Sequence, residues 1–84
     1  MDQLVNRSSI DSSVRRLIAD IINLPVENIT PTSSPNNLNT WDSIAHLDVI
    51  IGLEQEFRVR LSARDIDQMI DVQHIVELLE NKVR

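Results

Sequence analysis

The stretch TWDSIAHLDVIIGLEQEF, residues 40–57, decides the fold. Its third and fourth residues are Asp42 and Ser43, residue types that are preferred at helix starts. Apolar residues then recur at helical spacing, so a helix is predicted from Asp42-Ser43 to Phe57 or Arg58. On a helical wheel at about 100° per residue, its apolar residues form two stripes rather than one. The stripe predicted to face the core is Val49, Ile50, Leu53 and Phe57, and the stripe predicted to be at least partly exposed is Ile44, Leu47 and Ile51.

Before this helix lies a long loop, from Leu24 to Trp41, that contains the 3 prolines of the chain and many Asn, Thr and Ser residues. This composition is typical of turns and loops, and loops of this length in compact domains are usually functional or disordered. We predict an ordered loop packed over the helices, with a single helical turn near Val26–Ile29. The predicted apolar anchors of the loop are Val26, Ile29 and Leu38.

A first helix is predicted upstream of the loop, from about Ser9 to Asn23. One helical face carries Val14, Leu17, Ile18 and Ile21, at the i, i+3, i+4 and i+7 spacing of an amphipathic helix. Residues 1–9 are polar for the most part and are predicted to be frayed.

Two helices are predicted after the long central one. Ser62 has the position of an N-cap for a short helix through Gln68, with Asp65 in the second position of a capping box. The last helix is predicted over roughly residues 72–82. The predicted fold is therefore all-α: a small bundle of three main helices plus one short helix, in a single domain over residues 1–84.

Composition limits the functions open to such a domain. With 13 acidic and 8 basic residues the net charge is −5, which disfavours binding to nucleic acid or to anionic membranes and favours basic protein partners. No run approaches the roughly 20 apolar residues of a membrane span, and the N-terminus lacks a signal-peptide layout, so a cytoplasmic location is expected. The chain is also expected to be a monomer. The chain has no Cys, which excludes disulfides and thiolate metal sites.

The segment from Asn39 to Leu47, continued by residues 52–57, resembles the core motif of acyl carrier proteins. That motif is Asp-Ser-Leu followed by an acidic, apolar helix that ends in Glu-Glu-Phe. The resemblance covers about residues 14–83, including the proline-bearing loop and the short third helix. Thr40-Trp41 stands where Gly-Ala or Gly-Gly is usual, and Trp-Asp-Ser is similar to carriers of polyketide-type pathways, so a stand-alone carrier of that type is predicted.

The resemblance implies that a phosphopantetheinyl transferase moves a 4′-phosphopantetheine arm from coenzyme A onto Ser43, with Asp42 as the motif residue at the helix start. The thiol of the arm would then carry an acyl group as a thioester, which fits a chain without Cys. The implied protein is a non-catalytic phosphoprotein of fatty acid or polyketide biosynthesis. It presents acyl intermediates to acyl-loading and acyl-transfer enzymes.

A partner surface is predicted on the exposed side of the central helix. An apolar stripe would supply contact area, and neighbouring acids would steer the basic docking surface of a partner enzyme. The predicted members are the apolar Ile44, Leu47 and Ile51 and the acidic Asp48, Glu54 and Glu56. The alternative is that the long loop covers this stripe.

His46 has two interpretations. It lies on the side of the helix that carries the core stripe, where a histidine is most often packed and hydrogen-bonded. In the second interpretation it lines the mouth of an acyl pocket or contacts the arm. No metal site is predicted, because His46 and His74 lie in different predicted helices.

Three other functions compete with an acyl carrier. Asp42, Ser43 and His46 include the residue types of a hydrolase triad, but 84 residues leave little room for a substrate cleft. An unmodified helical adaptor would account for the helices and the acidity but not for the Asp-Ser junction after a long loop. A peptidyl or aminoacyl carrier is the nearest alternative, although the Gly-Gly usual before its serine motif is absent.

Overall fold

Four helices and one short helical turn form the described part of the chain. The structure is a computed structural model that describes residues 7–83. The elements are α1 (Arg7–Ile22), a 3-10 turn (Val26–Asn28), α2 (Ser43–Phe57), α3 (Ala63–Asp67) and α4 (Val72–Lys82). Within residues 7–83 there is no strand, so the predicted all-α fold is confirmed.

Helix α1 begins earlier than the sequence predicted. It starts at Arg7 rather than near Ser9, so the prediction of a frayed segment is wrong for residues 7–9; residues 1–6 lie outside the described residues. The Arg7 guanidinium lies 3.1 Å from Oε1 of Glu80 on α4. This contact joins the first turn of α1 to α4. The period of the apolar residues along the chain cannot reveal a contact between two helices.

Helix α1 is the centre of the bundle, because it packs against both α4 and α2. The buried core residues of these three helices include Ile10, Val14, Ile18 and Ile22 of α1, Val49, Ile50 and Leu53 of α2, and Val72, Ile75, Val76 and Leu79 of α4. Gly52 of α2 faces α1, and a Cβ atom there would lie 3.0 Å from Cδ1 of Leu17. The one glycine of the chain therefore permits a close approach of the two helices.

The short helix α3 begins as predicted. The Ser62 hydroxyl accepts a hydrogen bond from the Asp65 N–H at 3.1 Å, and the Asp65 carboxylate accepts one from the Ser62 N–H at 2.9 Å. This reciprocal pair is the capping box. Nζ of Lys82, at the end of α4, lies 2.8 Å from Oδ2 of Asp65, so the capped end of α3 is also joined to α4.

The long loop is ordered by hydrogen bonds around two buried serines. The Thr30 N–H donates to Oγ of Ser33 at 2.8 Å, and the Ser34 N–H donates to Oδ1 of Asn37 at 3.0 Å. Both serines are buried, and these bonds supply the partners that buried polar groups need. The prediction of an ordered loop is therefore confirmed.

Two of the three predicted loop anchors are in place. Ile29 is buried and Leu38 is half-buried against the core, but Val26 is 40% exposed, so the prediction for Val26 is wrong. The Ile29 N–H bonds back to the Val26 carbonyl at 3.0 Å. This tight turn brings Ile29 into the core and leaves Val26 at the surface.

The loop also binds the first turn of α4. The Val72 N–H donates to the carbonyl of Ser33 at 3.0 Å, and the Gln73 N–H donates to the carbonyl of Pro31 at 2.9 Å. First-turn N–H groups have no acceptor inside their own helix, so the loop supplies acceptors that α4 lacks. The segment that leads to Ser43 is thereby attached to α4.

We expect Asp71, the N-cap of α4, to make the bundle less stable in acid. Burial opposes ionisation of Asp71, but hydrogen bonds from the backbone and side chain of His74 outweigh it and lower the pKa of Asp71. The unfolded chain then binds this proton more tightly than the folded chain. The stability contributed by Asp71 is present above the ordinary pKa and falls as the pH drops below about 4.

Urea unfolding of the wild type and of Asp71→Asn, from about pH 7 down to pH 2, measures this contribution. The asparagine keeps an oxygen acceptor for the His74 N–H but does not titrate. The free energy of unfolding of the variant, relative to that of the wild type, should therefore increase as the pH falls. Asp65, whose pKa is lowered chiefly by a hydrogen bond from Lys82, contributes equally to both proteins and cancels. A free-energy difference that does not change with pH would contradict the prediction.

Candidate functional site

Ser43 is the first residue of α2 and its side chain is exposed. The cap of this helix comes from the preceding residue, because Oδ1 of Asp42 accepts from the Ala45 N–H at 2.9 Å. The Ser43 hydroxyl is therefore not needed for capping. A helix N-terminus stabilises a phosphate through its N–H groups and its dipole. The position thus suits a serine that carries a phosphodiester.

Replacing Asp42 by alanine should destabilise the protein by about 1 kcal/mol, because the Ala45 N–H loses its acceptor at the helix start. Asp42→Asn keeps a side-chain oxygen in the same place, so it should stay within about 0.5 kcal/mol of the wild type. Equilibrium urea unfolding measures both variants. Equal losses in the two would contradict the capping role of Asp42.

A shallow cleft of about 330 Å³ lies beside Ser43. The residues that line it are Pro35 and Trp41 of the loop, the N-cap Asp42, and Ser43 and His46 of α2. The ordered loop therefore forms one wall of the cleft and the start of α2 forms the other.

Trp41 and His46 contact each other across the start of α2. The Trp41 side chain is 1% exposed, and its Nε1–H donates to Nδ1 of His46 at 3.0 Å. Because Nδ1 accepts this bond, the neutral imidazole carries its proton on Nε2. Partial burial lowers the pKa of His46, which also favours the neutral ring. His46 is thus packed and hydrogen-bonded, as the first interpretation predicted, and it also lines the cleft; its contact with an arm stays a prediction.

Pro35 and Trp41 were not predicted as residues of the site. For Trp41 a signal was available, because it precedes the N-cap and His46 is the fourth residue of the helix. These are the two positions that pack together in a hydrophobic staple. For Pro35 there was no local signal, since its place depends on the path of the loop.

Asp42, Ser43 and His46 are not arranged as a hydrolase triad. In a triad the acid accepts the Nδ1–H of the histidine and so orients it as a base. Here Nδ1 of His46 accepts from Trp41, and the Asp42 carboxylate accepts from the Ala45 N–H. The acid therefore has no part in orienting the imidazole toward the serine.

The two apolar stripes of α2 differ in solvent exposure, as predicted. Val49, Ile50 and Leu53 are buried and Phe57 is half-buried. The second stripe is exposed: Ile44 by 73%, Leu47 by 59% and Ile51 by 51%. The alternative, in which the loop covers this stripe, is therefore wrong.

The three acids predicted for the partner surface have different surroundings. Asp48 is exposed and, at i+4 from Ile44, is its neighbour on the helix surface. Glu54 is half-buried, and its Oε2 accepts from the Leu61 N–H at 2.9 Å, so it holds the connection between α2 and α3. Glu56 is exposed, but helical spacing places it roughly 150° from the centre of the apolar stripe. Asp48 and Glu54, which is at i+3 from Ile51, both lie beside the stripe, but of these two only Asp48 is exposed.

The described residues contain neither a metal-binding cluster nor a membrane-spanning helix. Among residues 7–83, no group of three or more His, Cys, Asp or Glu side chains is placed to hold a metal ion. None of the helices α1 to α4 is long and apolar enough to cross a membrane.

Comparison with known proteins gives matches over most of the chain. Residues 12–79 match the family model described as "Phosphopantetheine attachment site". The chain is 30% identical over 80 residues to an acyl carrier protein of Thermosynechococcus vestitus, a match that covers 94% of this chain and 98% of that protein. It is 25% identical over 75 residues to an acyl carrier protein of Buchnera aphidicola subsp. Schizaphis graminum, covering 89% and 95%.

A third relative has a more specific name. The polyketide-8 synthase acyl carrier protein 2 of Streptomyces avermitilis is 30% identical over 70 residues, a match that covers 83% of this chain and 80% of that protein. The residues matched by the family model include Asp42, Ser43 and His46, and with them the whole of α2.

Proposed function

Because the chain belongs to the acyl carrier protein family, we propose that Ser43 is the residue that receives its 4′-phosphopantetheine arm. The protein carries acyl groups, and covalently attached phosphopantetheine is its cofactor. The choice of Ser43 is supported by its exposed position at the start of α2, where Asp42 makes the cap. The hydroxyl is therefore accessible to a modifying enzyme, and it is not needed to cap the helix.

In the proposed reaction a phosphopantetheinyl transferase joins Oγ of Ser43 to the phosphorus of coenzyme A that bears pantetheine. The Oγ–P bond forms, the P–O bond of the pyrophosphate breaks, and adenosine 3′,5′-bisphosphate leaves, while the serine proton goes to a base of the transferase. The start of α2 favours the charge of the resulting phosphodiester. The bound arm supplies the thiol for thioester formation, which this chain without Cys does not have.

We propose the exposed stripe of α2, Ile44, Leu47 and Ile51, as the surface on which the transferase and the acyl-transfer enzymes dock. Its support is the exposure of three large apolar side chains on the helix that begins with Ser43. The neighbouring Asp48 and the net charge of −5 favour a partner with a basic surface. Because the Glu54 carboxylate accepts a hydrogen bond from the Leu61 N–H, we expect Glu54 to contribute less to docking than the sequence predicted.

The alternatives have less support. Membership of the family disfavours an unmodified adaptor, and the relatives are named as carriers of acyl groups rather than of amino acids. The relatives include both general and polyketide carriers at 30% identity, so the polyketide-type pathway stays a prediction. The stand-alone single domain, the monomeric state and the cytoplasmic location also stay predictions.

Mass spectrometry tests the proposal. The purified protein, incubated with coenzyme A, magnesium and a broad-specificity phosphopantetheinyl transferase, should gain the mass of one arm. The tryptic peptide from Leu17 to Arg58 contains Ser33, Ser34 and Ser43, so fragmentation of this peptide must assign the arm to Ser43. An arm on another residue, or no gain in mass, would overturn the proposal.

A further inference from the structure

The cleft beside Ser43 contains the imidazole of His46, whose neutral form has one N–H donor. His46 follows Ser43 by three residues on α2, so the two side chains are neighbours on the helix surface, and both line the cleft. The indole of Trp41 engages Nδ1 of the imidazole at 3.0 Å. The donor of the neutral ring is therefore on Nε2, the nitrogen on the opposite side of the ring from Trp41.

We propose that Nε2–H of His46 donates a hydrogen bond to the phosphodiester that joins the arm to Ser43, and that Trp41 is the positioning residue that holds this tautomer. The inference rests on the proposed function, because it requires the arm to be on Ser43. It assigns to the Trp41–His46 pair a role in holding the base of the arm, as distinct from a role in packing.

The phosphodiester is the part of the arm that lies closest to the cleft residues. The phosphorus is bonded directly to Oγ of Ser43, so its free oxygens stay close to the neighbouring side chains while the rest of the arm moves. Of the five residues that line the cleft, Asp42 is the only charged one, and its Oδ1 accepts from the Ala45 N–H at the helix start. Pro35 contributes an apolar wall. A hydrogen bond to an anionic phosphate is about twice as strong as one between neutral groups.

The proposal has a consequence that does not depend on acyl transfer. A phosphodiester carries no proton that titrates near neutral pH, so its ³¹P resonance can follow pH there only through a neighbouring group. Imidazole is the side chain that titrates between about pH 5 and 8. The residues that line the cleft with His46 are Pro35, Trp41, Asp42 and Ser43, and Trp41 also donates a hydrogen bond to His46.

The test is ³¹P NMR on the full chain, after intact mass has established one arm on Ser43. The ³¹P resonance should shift between about pH 5 and 8 with the same midpoint as the ring protons of His46. In His46→Gln the shift should disappear. His74, the other of the 2 histidines, is bonded to Asp71 on α4 and supplies the matched control, because His74→Gln should keep the full ³¹P shift.

A second variant tests the role of Trp41. Trp41→Phe keeps an aromatic ring but removes the Nε1–H, so long-range ¹H–¹⁵N spectra should show His46 as a mixture of tautomers instead of the Nε2–H form. Its titration midpoint should also rise. A merely structural role of Trp41 would change the melting temperature and leave the tautomer as it is. If Trp41→Phe does not fold, the wild-type and His46→Gln titrations decide the proposal.

The outcomes separate this inference from the proposed function. A ³¹P resonance that does not move with pH, or that moves equally in His46→Gln, overturns the inference and leaves the arm on Ser43. Absence of the arm from Ser43 in the mass spectrum overturns the proposed function, and the inference with it.

Discussion

Ser43→Ala is expected to gain no arm under conditions in which the wild type gains one. The variant lacks the only atom that can form the phosphodiester at this position, so the expected loss is complete rather than partial. Its fold should be retained, because Ser43 is exposed and Asp42 makes the cap of α2. The free energy of unfolding should stay within about 0.5 kcal/mol of the wild type. Intact mass after loading and a urea unfolding curve measure the two quantities.

The matched control for this prediction is Ser12→Ala. Ser12 is an exposed serine on α1, so its replacement tests whether removing a surface hydroxyl affects loading in general. It should gain one arm as the wild type does. Loading retained by Ser43→Ala would show that the arm is attached elsewhere, and loss of loading together with the fold would show that Ser43 has a structural role.

Two adjacent isoleucines of α2 should respond in opposite ways to the same substitution. Ile50 is 8% exposed and Ile51 is 51% exposed. Ile50→Glu loses about 1.5–3 kcal/mol of apolar burial and also forces a carboxylate out of water. A domain of this size has about 5–10 kcal/mol of stability in total. We therefore expect Ile50→Glu to be largely unfolded, as measured by circular dichroism and urea unfolding.

Ile51→Glu should keep the fold and lose partner binding. If the stripe docks the transferase, removing one apolar contact worth about 1.4 kcal/mol lowers kcat/KM for loading about tenfold. The matched control is Ile70→Glu, which makes the same change at a residue that is 57% exposed and lies outside α2. Equal loading of Ile51→Glu and the wild type, or an equal loss in Ile70→Glu, would contradict the docking role of the stripe.

The features that the sequence predicted well depend on residues close together along the chain. The opposite burial of Ile50 and Ile51 follows from the helical period, because adjacent residues point about 100° apart. The reciprocal bonds of Ser62 and Asp65 follow from a three-residue spacing. The place of Ser43 at the start of α2 follows from the same kind of local rule.

The features that it missed depend on contacts made by the loop or between elements. Glu54 looked like a surface acid, and its bond to the Leu61 N–H depends on the chain turning back after α2. The acceptors for the first turn of α4 are the carbonyls of Pro31 and Ser33. Every residue has a carbonyl, so no residue type marks the ones that bind a distant helix. The burial of Trp41 likewise depends on the loop path, although its spacing from His46 was visible.

The attachment of the loop to α4 determines where the chain can be lengthened. The consecutive amides of Val72 and Gln73 donate to the carbonyls of Ser33 and Pro31. An added residue between Pro31 and Ser33 would change the spacing of these carbonyls, so both hydrogen bonds could no longer form. Residues 25–28, by contrast, are exposed and lie before this attachment, and exposed turns are where insertions are best tolerated. A peptide tag or a linker to a second domain is therefore better placed before this attachment than within it. There it would leave the cleft wall and the base of the arm in place.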